Sequence, residues 1–392
     1  MGGLNATSWT NERAEDLIRG LSLLATGGGG HPAKGRAHLR PHIEAGESID
    51  WISVDDLPGD AWVCCTLAMG SSAPASAMTA DERRRLGYGD ITVPHPMPEA
   101  VRMLMTATKR PIAALVPFEL GAFNTIGPID AALRLGVKIV DADLCGRAVP
   151  ELSQTTAAIA GLALCPMTIC DSWGNRLIFE ATHSVQLAER IGKMVSIVTR
   201  SPDPMLTCAH AGYLMAVRDL RKVAIRGTVS LALRVGERIR TARERAHDPI
   251  ATIAHELDGW VVFEGTVARR EWESRDGYMI GTTVLTGSRT CANHQMRLWF
   301  KNENHIAWLD ERPWVMSPDL IMIVDRQSGE PFTNTDLSDG HDVAVLVASA
   351  PELLRTPAAL AVLSPSHYGF DVPYVSAERI LGPKGFVQIG GR

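Results

Sequence analysis

The sequence lacks an excess of basic residues. Its 39 Lys and Arg residues stand against 44 Asp and Glu residues, which gives a formal net charge of −5. Nucleic-acid-binding proteins usually carry a basic surface that is visible in these totals, so we expect no nucleic-acid partner. Charged residues make up 21% of the chain and hydrophobic residues 45%, a balance typical of a soluble globular protein.

The sequence also lacks the patterns of secreted and membrane proteins. Its seven cysteines are odd in number and form no CxxC pair, which favours reduced thiols in the cytoplasm. No basic segment followed by an apolar one is visible near residue 1, so we expect no secretory signal. The uncharged run at residues 152–170 is interrupted by polar residues and Pro166. We interpret it as buried segments and expect a cytoplasmic protein with no membrane partner.

The length of 392 residues predicts two domains, because it exceeds the size of one ordinary core. Residues 1–170 alternate between strand and helix patterns, which predicts an α/β N-terminal domain with a largely parallel sheet. Residues 171–380 contain two helical stretches followed by many strands separated by turns, which predicts a β-rich mixed C-terminal domain. The Gly-rich residues 381–392 are expected to form a loosely ordered tail.

Acidic residues follow two predicted strands of the first domain, at residues 111–118 and 137–140. Because the carboxyl ends of parallel strands meet at one edge of a sheet, Glu119 and Asp141 should face the same crevice. Asp143 should project to the same side as Asp141 if the chain stays extended between them. This edge is the first candidate for a functional site.

Arg147 and Glu151 follow in the same segment. Arg147 either neutralises one of the acids or binds a substrate carboxylate with its planar guanidinium. The acids also have a structural explanation, with Asp141 and Asp143 as helix caps and Glu119 paired with Arg147. We favour a functional cluster. Several carboxylates beside one Arg repel one another and raise one another's pKa, so packing alone does not explain why they converge.

Four consecutive glycines at residues 27–30 end the first predicted helix. They permit positive φ and a close approach of the backbone to a ligand, or else they form a helix C-cap and hinge. A helix and not a strand precedes them, which excludes a dinucleotide-binding fingerprint. His31, directly after them, is either a ligand or a surface residue. The polar run at residues 302–305 either forms a turn or closes the cleft from the second domain.

Six segments resemble one known family. They are residues 26–30, 119–124, 140–151, 302–304, 317–321 and 365–371. In this order they resemble the S-methyl-thiohydantoin desulfurase family, over about residues 12–380. The stretch Val-Asp-Ala-Asp-Leu-Cys-Gly-Arg-Ala-Val-Pro-Glu is the most specific part, although Cys145 and Val149 replace the Met and Phe of the family pattern. Ala122 stands where a second glycine is common.

The resemblance implies hydrolytic removal of sulfide or methanethiol from a thiohydantoin-type five-membered ring by a metal-dependent enzyme. Our hypothesis is that Asp141, Asp143 and His31 hold a divalent metal, with zinc as the expected ion. Such a metal lowers the pKa of bound water. Glu119, with Asp143 beside it, would be the catalytic base that deprotonates the water and later assists the departing thiol.

The small cyclic substrate is the expected partner, and a homo-oligomer is left open. The residues expected to contact the substrate are Gly28, Gly29, Gly30, Asn124, Arg147 and Glu151. Two alternatives remain. One is a hydantoinase-like cyclic-amide hydrolase that uses the same carboxylates, and the other is a non-catalytic ligand-binding subunit.

Overall fold

The structure is a computed structural model that describes residues 9–70, 79–199 and 209–389. Within these residues the helices are α1 (Asn11–Leu24), α2 (Pro32–Glu44), α3 (Ala80–Leu86), α4 (Pro96–Thr108), α5 (Ile126–Leu135), α6 (Thr156–Ile159), α7 (Val185–Val198), α8 (Val217–Val223), α9 (Thr228–Glu244), α10 (Pro249–Glu256), α11 (Pro357–Leu363) and α12 (Ala377–Leu381). The strands are β1 (Trp51–Ile52), β2 (Trp62–Met69), β3 (Ala114–Pro117), β4 (Lys138–Val140), β5 (Ala142–Asp143), β6 (Met167–Cys170), β7 (Arg176–Phe179), β8 (Ala209–Ala216), β9 (Ile225–Arg226), β10 (Trp260–Arg275), β11 (Tyr278–Gly287), β12 (Gln295–Lys301), β13 (Glu303–Leu309), β14 (Arg312–Met316), β15 (Leu320–Asp325), β16 (Asp342–Ala348) and β17 (Gly385–Phe386).

The first sheet has the strand order β1-β4-β3-β2-β8-β6-β7. The pairs β1–β4, β4–β3 and β3–β2 are parallel, whereas β8 is antiparallel to both β2 and β6. Because β6 pairs antiparallel with β7, five of the seven strands point the same way. This confirms the predicted α/β domain with a largely parallel sheet. The sheet takes in residues 176–179 and 209–216, so it extends past the predicted boundary at residue 170.

The second sheet has the order β14-β13-β12-β11-β10-β16-β15, with antiparallel pairing throughout this path. It is a curled antiparallel sheet, which confirms the β-rich C-terminal domain. The described part of the tail contains one short strand. β17 pairs in parallel with the start of β10, because the N–H groups of Gly385 and Val387 donate to the carbonyl oxygens of Gly259 and Val261.

α1 packs closely against α9, a helix from much later in the chain. An ideal Cβ on Gly20 of α1 would lie 1.7 Å from the carbonyl oxygen of Ala232. An ideal Cβ on Gly236 of α9 would lie 1.7 Å from the carbonyl oxygen of Asp16. The two helices therefore approach backbone to backbone, which requires glycine at both crossing points.

One hydrophobic core joins the two sheets. It contains Leu17 and Leu21 of α1, Val235 of α9, Met322 of β15 and Leu346 of β16. The uncharged run at residues 152–170 forms α6 and β6, and no helix in the described part of the chain has the length and apolar character of a membrane span. The region between the sheets is therefore a packed junction, and the site lies within it.

Candidate functional site

Glu119 follows β3 at the edge of the first sheet and turns into the junction. Its side chain is nearly buried, with 6% of the residue exposed. Asn124 donates its side-chain amide to Oε1, and the Val149 N–H donates to Oε2 at 2.6 Å. Burial raises the pKa of Glu119 to about 7, although these two hydrogen bonds favour the charged form. Glu119 therefore changes charge near neutral pH, as a general base must.

Glu303 reaches the same junction from β13 of the second sheet. It is 3% exposed, and within the described residues Oε2 has no hydrogen-bond partner. Burial raises the pKa of Glu303 well above its usual range, and the negative charge of Glu119 raises it further. The surroundings therefore favour the protonated form of Glu303 more strongly than that of Glu119.

Lys193 of α7 brings a positive charge to the carboxyls. Its Nζ donates to the carbonyl oxygens of Gly70 at 2.6 Å and Gly277 at 3.4 Å, and it lies 4.3 Å from the centre of the Tyr278 ring. Burial lowers the pKa of Lys193, whereas the nearby acids oppose that change. Its charge favours the ionised form of Glu119 and so limits how far burial raises the pKa of that group.

Glu151 forms an ion-paired group at the edge of the junction. Its Oε1 lies 2.5 Å from Nζ of Lys301, and its Oε2 lies 2.9 Å from Nε2 of His367. Burial alone would raise the pKa of Glu151, but the His367 hydrogen bond and the Lys301 charge together lower it to about 2. Gln154 donates to the hydroxyl oxygen of Tyr368 at 2.7 Å in the same place. Glu151 is thus a fixed anion that ties two distant segments together.

Arg147 is fully buried and connects the two halves of the chain. Its guanidinium donates to five oxygens, which are those of the Thr26 side chain and the Ala148, Asn304, Pro318 and Asp319 carbonyls. A guanidinium has five N–H donors in a fixed plane. Its donors therefore contact oxygens of the protein itself, and Glu119 is not among these five partners.

The structure separates the two aspartates. Both oxygens of Asp141 accept hydrogen bonds at the start of α9, Oδ1 from the N–H groups of Val229 and Ser230 and Oδ2 from the Ser230 hydroxyl. Asp143 is fully buried and accepts from the Cys145 N–H at 2.9 Å and the Gly146 N–H at 2.7 Å. Burial raises the pKa of Asp143 to about 7 despite these two bonds. Asp141 therefore has the capping role that the sequence left open.

The predicted metal ligands do not come together. His31 caps α2 by accepting from the Ala33 N–H, and its other ring nitrogen lies 3.0 Å from Oδ1 of Asp336. Asp141 is directed to α9, so His31, Asp141 and Asp143 share no binding point. Among the described residues, the group with metal-ligand spacing is instead His38, His95 and Asp130.

The glycine segment supports the Glu119 loop by close packing. The carbonyl oxygen of Gly29 accepts the N–H groups of Phe123 and Asn124, both at 3.1 Å. The Gly28 N–H donates to the carbonyl oxygen of Ala25, so it is not free for a ring oxygen. An ideal Cβ on Gly30 would lie 2.6 Å from Cβ of Phe123. These glycines therefore permit a contact between loops.

The segments that carry the family resemblance meet at this junction. Arg147 joins the segments at residues 26–30, 302–304 and 317–321, and Glu151 joins residue 367. Sequence reasoning flagged Glu303, because a polar run follows the apolar strand β12. It missed Lys193 and Tyr278, which lie in an ordinary amphipathic helix and an ordinary strand.

Comparisons with known proteins show which family the chain resembles. The family model described as S-Me-THD-like, N-terminal domain, matches residues 12–181, and the one described as S-Me-THD-like, C-terminal domain, matches residues 204–377. None of the curated proteins compared with the chain matches it. An X-ray crystal structure of a protein from Chromobacterium violaceum is similar with a TM-score of 0.72 and 21% identity, over 95% of this chain and 100% of that chain. This likeness shows a shared fold.

Proposed function

The chain belongs to the S-Me-THD-like family, and on that premise we propose that it hydrolyses the carbon–sulfur bond of a thiohydantoin-type ring. The substrate is an S-methyl-thiohydantoin or a thiohydantoin, and the products are a hydantoin and methanethiol or sulfide. The reaction requires a base that activates water and an acid that protonates the ring and the leaving group.

The observation that supports this proposal most directly is the pair Glu119 and Glu303. They are two buried carboxyls from different sheets, and they differ in how strongly they hold a proton. Pairs of titratable groups whose surroundings separate their pKa values serve as acid and base in many enzymes. Glu119 has the lower pKa of the two and is the base, and Glu303 is the acid.

In the reaction of an S-methyl substrate, these two side chains carry all of the proton transfers. Glu119 takes a proton from water as the water oxygen bonds to the ring carbon that carries sulfur. Protonated Glu303 gives its proton to the adjacent ring nitrogen, which receives the electron pair of the C=N bond. Glu303 then takes the proton of the new hydroxyl, the C=O bond forms, and the C–S bond breaks. Glu119 returns its proton to the departing sulfur, so both carboxyls regain their starting state and one water is consumed.

The test is product analysis with a panel of S-methyl-thiohydantoins, thiohydantoins and hydantoins. We expect the purified protein to release methanethiol or sulfide, and the variant Glu119→Gln to release them at least about 100-fold more slowly. Opening of hydantoins to carboxylic acids without sulfur release would replace the proposal with a cyclic-amide hydrolase. Saturable binding of the same compounds without any product would make the chain a binding subunit. A parallel reaction with chelator-treated protein reports whether a metal contributes.

A further inference from the structure

We infer that His38, His95 and Asp130 form a binding site for a divalent metal ion of the zinc class. His38 lies in α2, His95 directly precedes α4, and Asp130 lies in α5. One donor atom from each side chain lies within 4.8 Å of the other two. None of these residues takes part in the proposed proton transfers, so the inference stands independently of the proposed function.

The distances suit a metal of this size. Oδ2 of Asp130 lies 3.1 Å from Nδ1 of His38 and 3.8 Å from Nδ1 of His95. Zinc bound by imidazole nitrogen and carboxylate oxygen at about 2.0–2.1 Å in tetrahedral geometry places its ligand atoms roughly 3.3 Å apart. The three atoms therefore need only small side-chain movements to share one ion. His95 is partly exposed, which leaves room for water as the fourth ligand.

The two oxygens of Asp130 have different neighbours. Oδ1 is held by Nε2 of His42 at 2.8 Å and by Nε of Arg134 at 2.8 Å. Oδ2 faces the two imidazoles of His38 and His95. Metal-bound side chains are commonly oriented by such outer hydrogen bonds. Asp130 thus has one oxygen fixed by the protein and the other directed at the candidate site.

His95 supplies the observation that a plain hydrogen-bond network does not explain. Its Nδ1 is buried and has no hydrogen-bond partner among the described residues. Buried polar atoms are almost always paired, so an unpaired imidazole nitrogen facing a carboxylate indicates a missing partner. A divalent cation bound to Oδ2 of Asp130 would give Nδ1 of His95 its partner and would take the place of the proton between Oδ2 and Nδ1 of His38.

A metal here would join three helical segments behind the Glu119 loop. The His38 ring packs against the Phe123 ring, with 5.1 Å between the ring centres. The backbone N–H of Phe123 donates to Gly29 in the glycine segment. The ion would therefore act as a structural cross-link that holds this loop, with water completing the coordination.

The test measures metal binding and stability directly. Chelator-treated protein is titrated with Zn²⁺ against a competing indicator and with Co²⁺ by visible absorption. We expect one equivalent per chain, a d–d absorption band, and a melting temperature higher by a few degrees with metal bound. The variants His95→Ala and His38→Ala should bind Zn²⁺ more than about 10-fold more weakly.

The matched control is His294→Ala. His294 also faces an aspartate through Nδ1, at 2.6 Å from Oδ2 of Asp310, but its pair lies on the surface. This variant should bind metal as the unchanged protein does. His95→Ala removes no hydrogen bond, so its folding should be preserved even if His38→Ala is poorly folded. Absence of stoichiometric binding, or equal binding by His95→Ala and His294→Ala, would overturn the inference.

Discussion

Gly28 and Glu303 occupy one space: an ideal Cβ on Gly28 would lie 1.8 Å from Oε1 of Glu303. Non-bonded atoms do not approach this closely, so a side chain at position 28 and the carboxyl of Glu303 exclude one another. The glycine belongs to the α/β half and the carboxyl to the curled sheet. The absence of a side chain at the second glycine of the run therefore leaves the space that the Glu303 carboxyl occupies, where the charge of Glu119 acts on it.

Replacing Gly28 with Ala should displace Glu303 from the junction. We expect at least a 10-fold loss of sulfur-releasing activity and about 1–3 kcal/mol of destabilisation, as for other overpacked sites. Activity assays and urea unfolding measure the two effects. Gly89→Ala is the control, because an added Cβ there meets nothing within 4 Å, and it should change neither quantity. Equal effects of both substitutions would contradict the steric argument.

Replacing Glu119 with Gln should lower kcat by at least about 100-fold, the usual contribution of a general base. The fold should survive, because the Gln side-chain oxygen can still accept from the Val149 N–H. The Asn124 side-chain amide can rotate by 180° so that its oxygen accepts from the Gln NH2 group. Circular dichroism and melting temperature check the fold. Glu311→Gln, on an exposed turn, should keep full activity. An active, folded Glu119→Gln variant would remove Glu119 from the mechanism.

The activity should depend on pH through Glu119. Because its pKa is raised to about 7, the base is mostly protonated below that pH. We therefore expect kcat/KM to fall about tenfold per pH unit below pH 7 and to level off above it, until Glu303 loses its proton at higher pH. A profile measured from pH 5 to 9 tests this. A flat profile between pH 5 and 7 would argue against a carboxyl base in this environment.

Glu303 should make the protein less stable as the pH rises. Its pKa is higher in the folded protein than in the unfolded chain, so its contribution is fully present below about pH 4.3 and declines above it. Between that pH and the pKa of Glu303 in the folded protein, each pH unit lowers the free energy of unfolding by about 1.4 kcal/mol. The variant Glu303→Gln lacks this titrating carboxyl. The melting temperature of the unchanged protein should therefore fall relative to that of the variant as the pH rises from 5 to 8. A constant difference across this range would show that Glu303 is not buried in its protonated form.

Replacing Arg147 with Lys should destabilise the protein and leave the KM of the folded fraction unchanged. Lys offers three donors where five are used, so buried carbonyl oxygens lose their partners, at a total cost of roughly 3–5 kcal/mol. Urea unfolding and steady-state kinetics separate the two effects. Arg275→Lys, in an exposed ion pair with Glu273, should cost less than about 0.5 kcal/mol. A raised KM with unchanged stability would instead support contact between Arg147 and substrate.

Local patterns predicted those elements whose signals lie within their own residues. The helical pattern at residues 128–135, followed by Gly136, predicts α5, which ends where Gly136 adopts the left-handed conformation. The strand β8 was not predicted, because half of its residues are Ala or Gly and it is defined by pairing with β2, about 150 residues earlier. The tail strand β17 was missed for the same reason, since β10 supplies its partners.

The same contrast between local patterns and distant partners applies to the candidate site. Glu119 was placed at the sheet edge because the rule for parallel strands depends only on the order of strand and helix. Asp141 was expected beside it, but the free N–H groups of α9 at Val229 and Ser230 bind its carboxylate. No pattern near residue 141 indicates a helix start 88 residues later. The metal-like group was missed because its three side chains come from segments without a spacing motif.

The position of β8 between β2 and β6 has a consequence for synthesis of the chain. When residues 12–181 have left the ribosome, one edge of β2 and the face of α1 that contacts α9 still lack their partners. At about 5–20 residues per second, residues 182–244 take roughly 3–13 s to follow. Until residues 209–216 follow, a little more than halfway through that interval, the nascent chain presents an open strand edge, a surface that chaperones bind and that other chains can pair with. The first half of this protein therefore completes its fold only after residues 209–244, which belong to the second half, have been made.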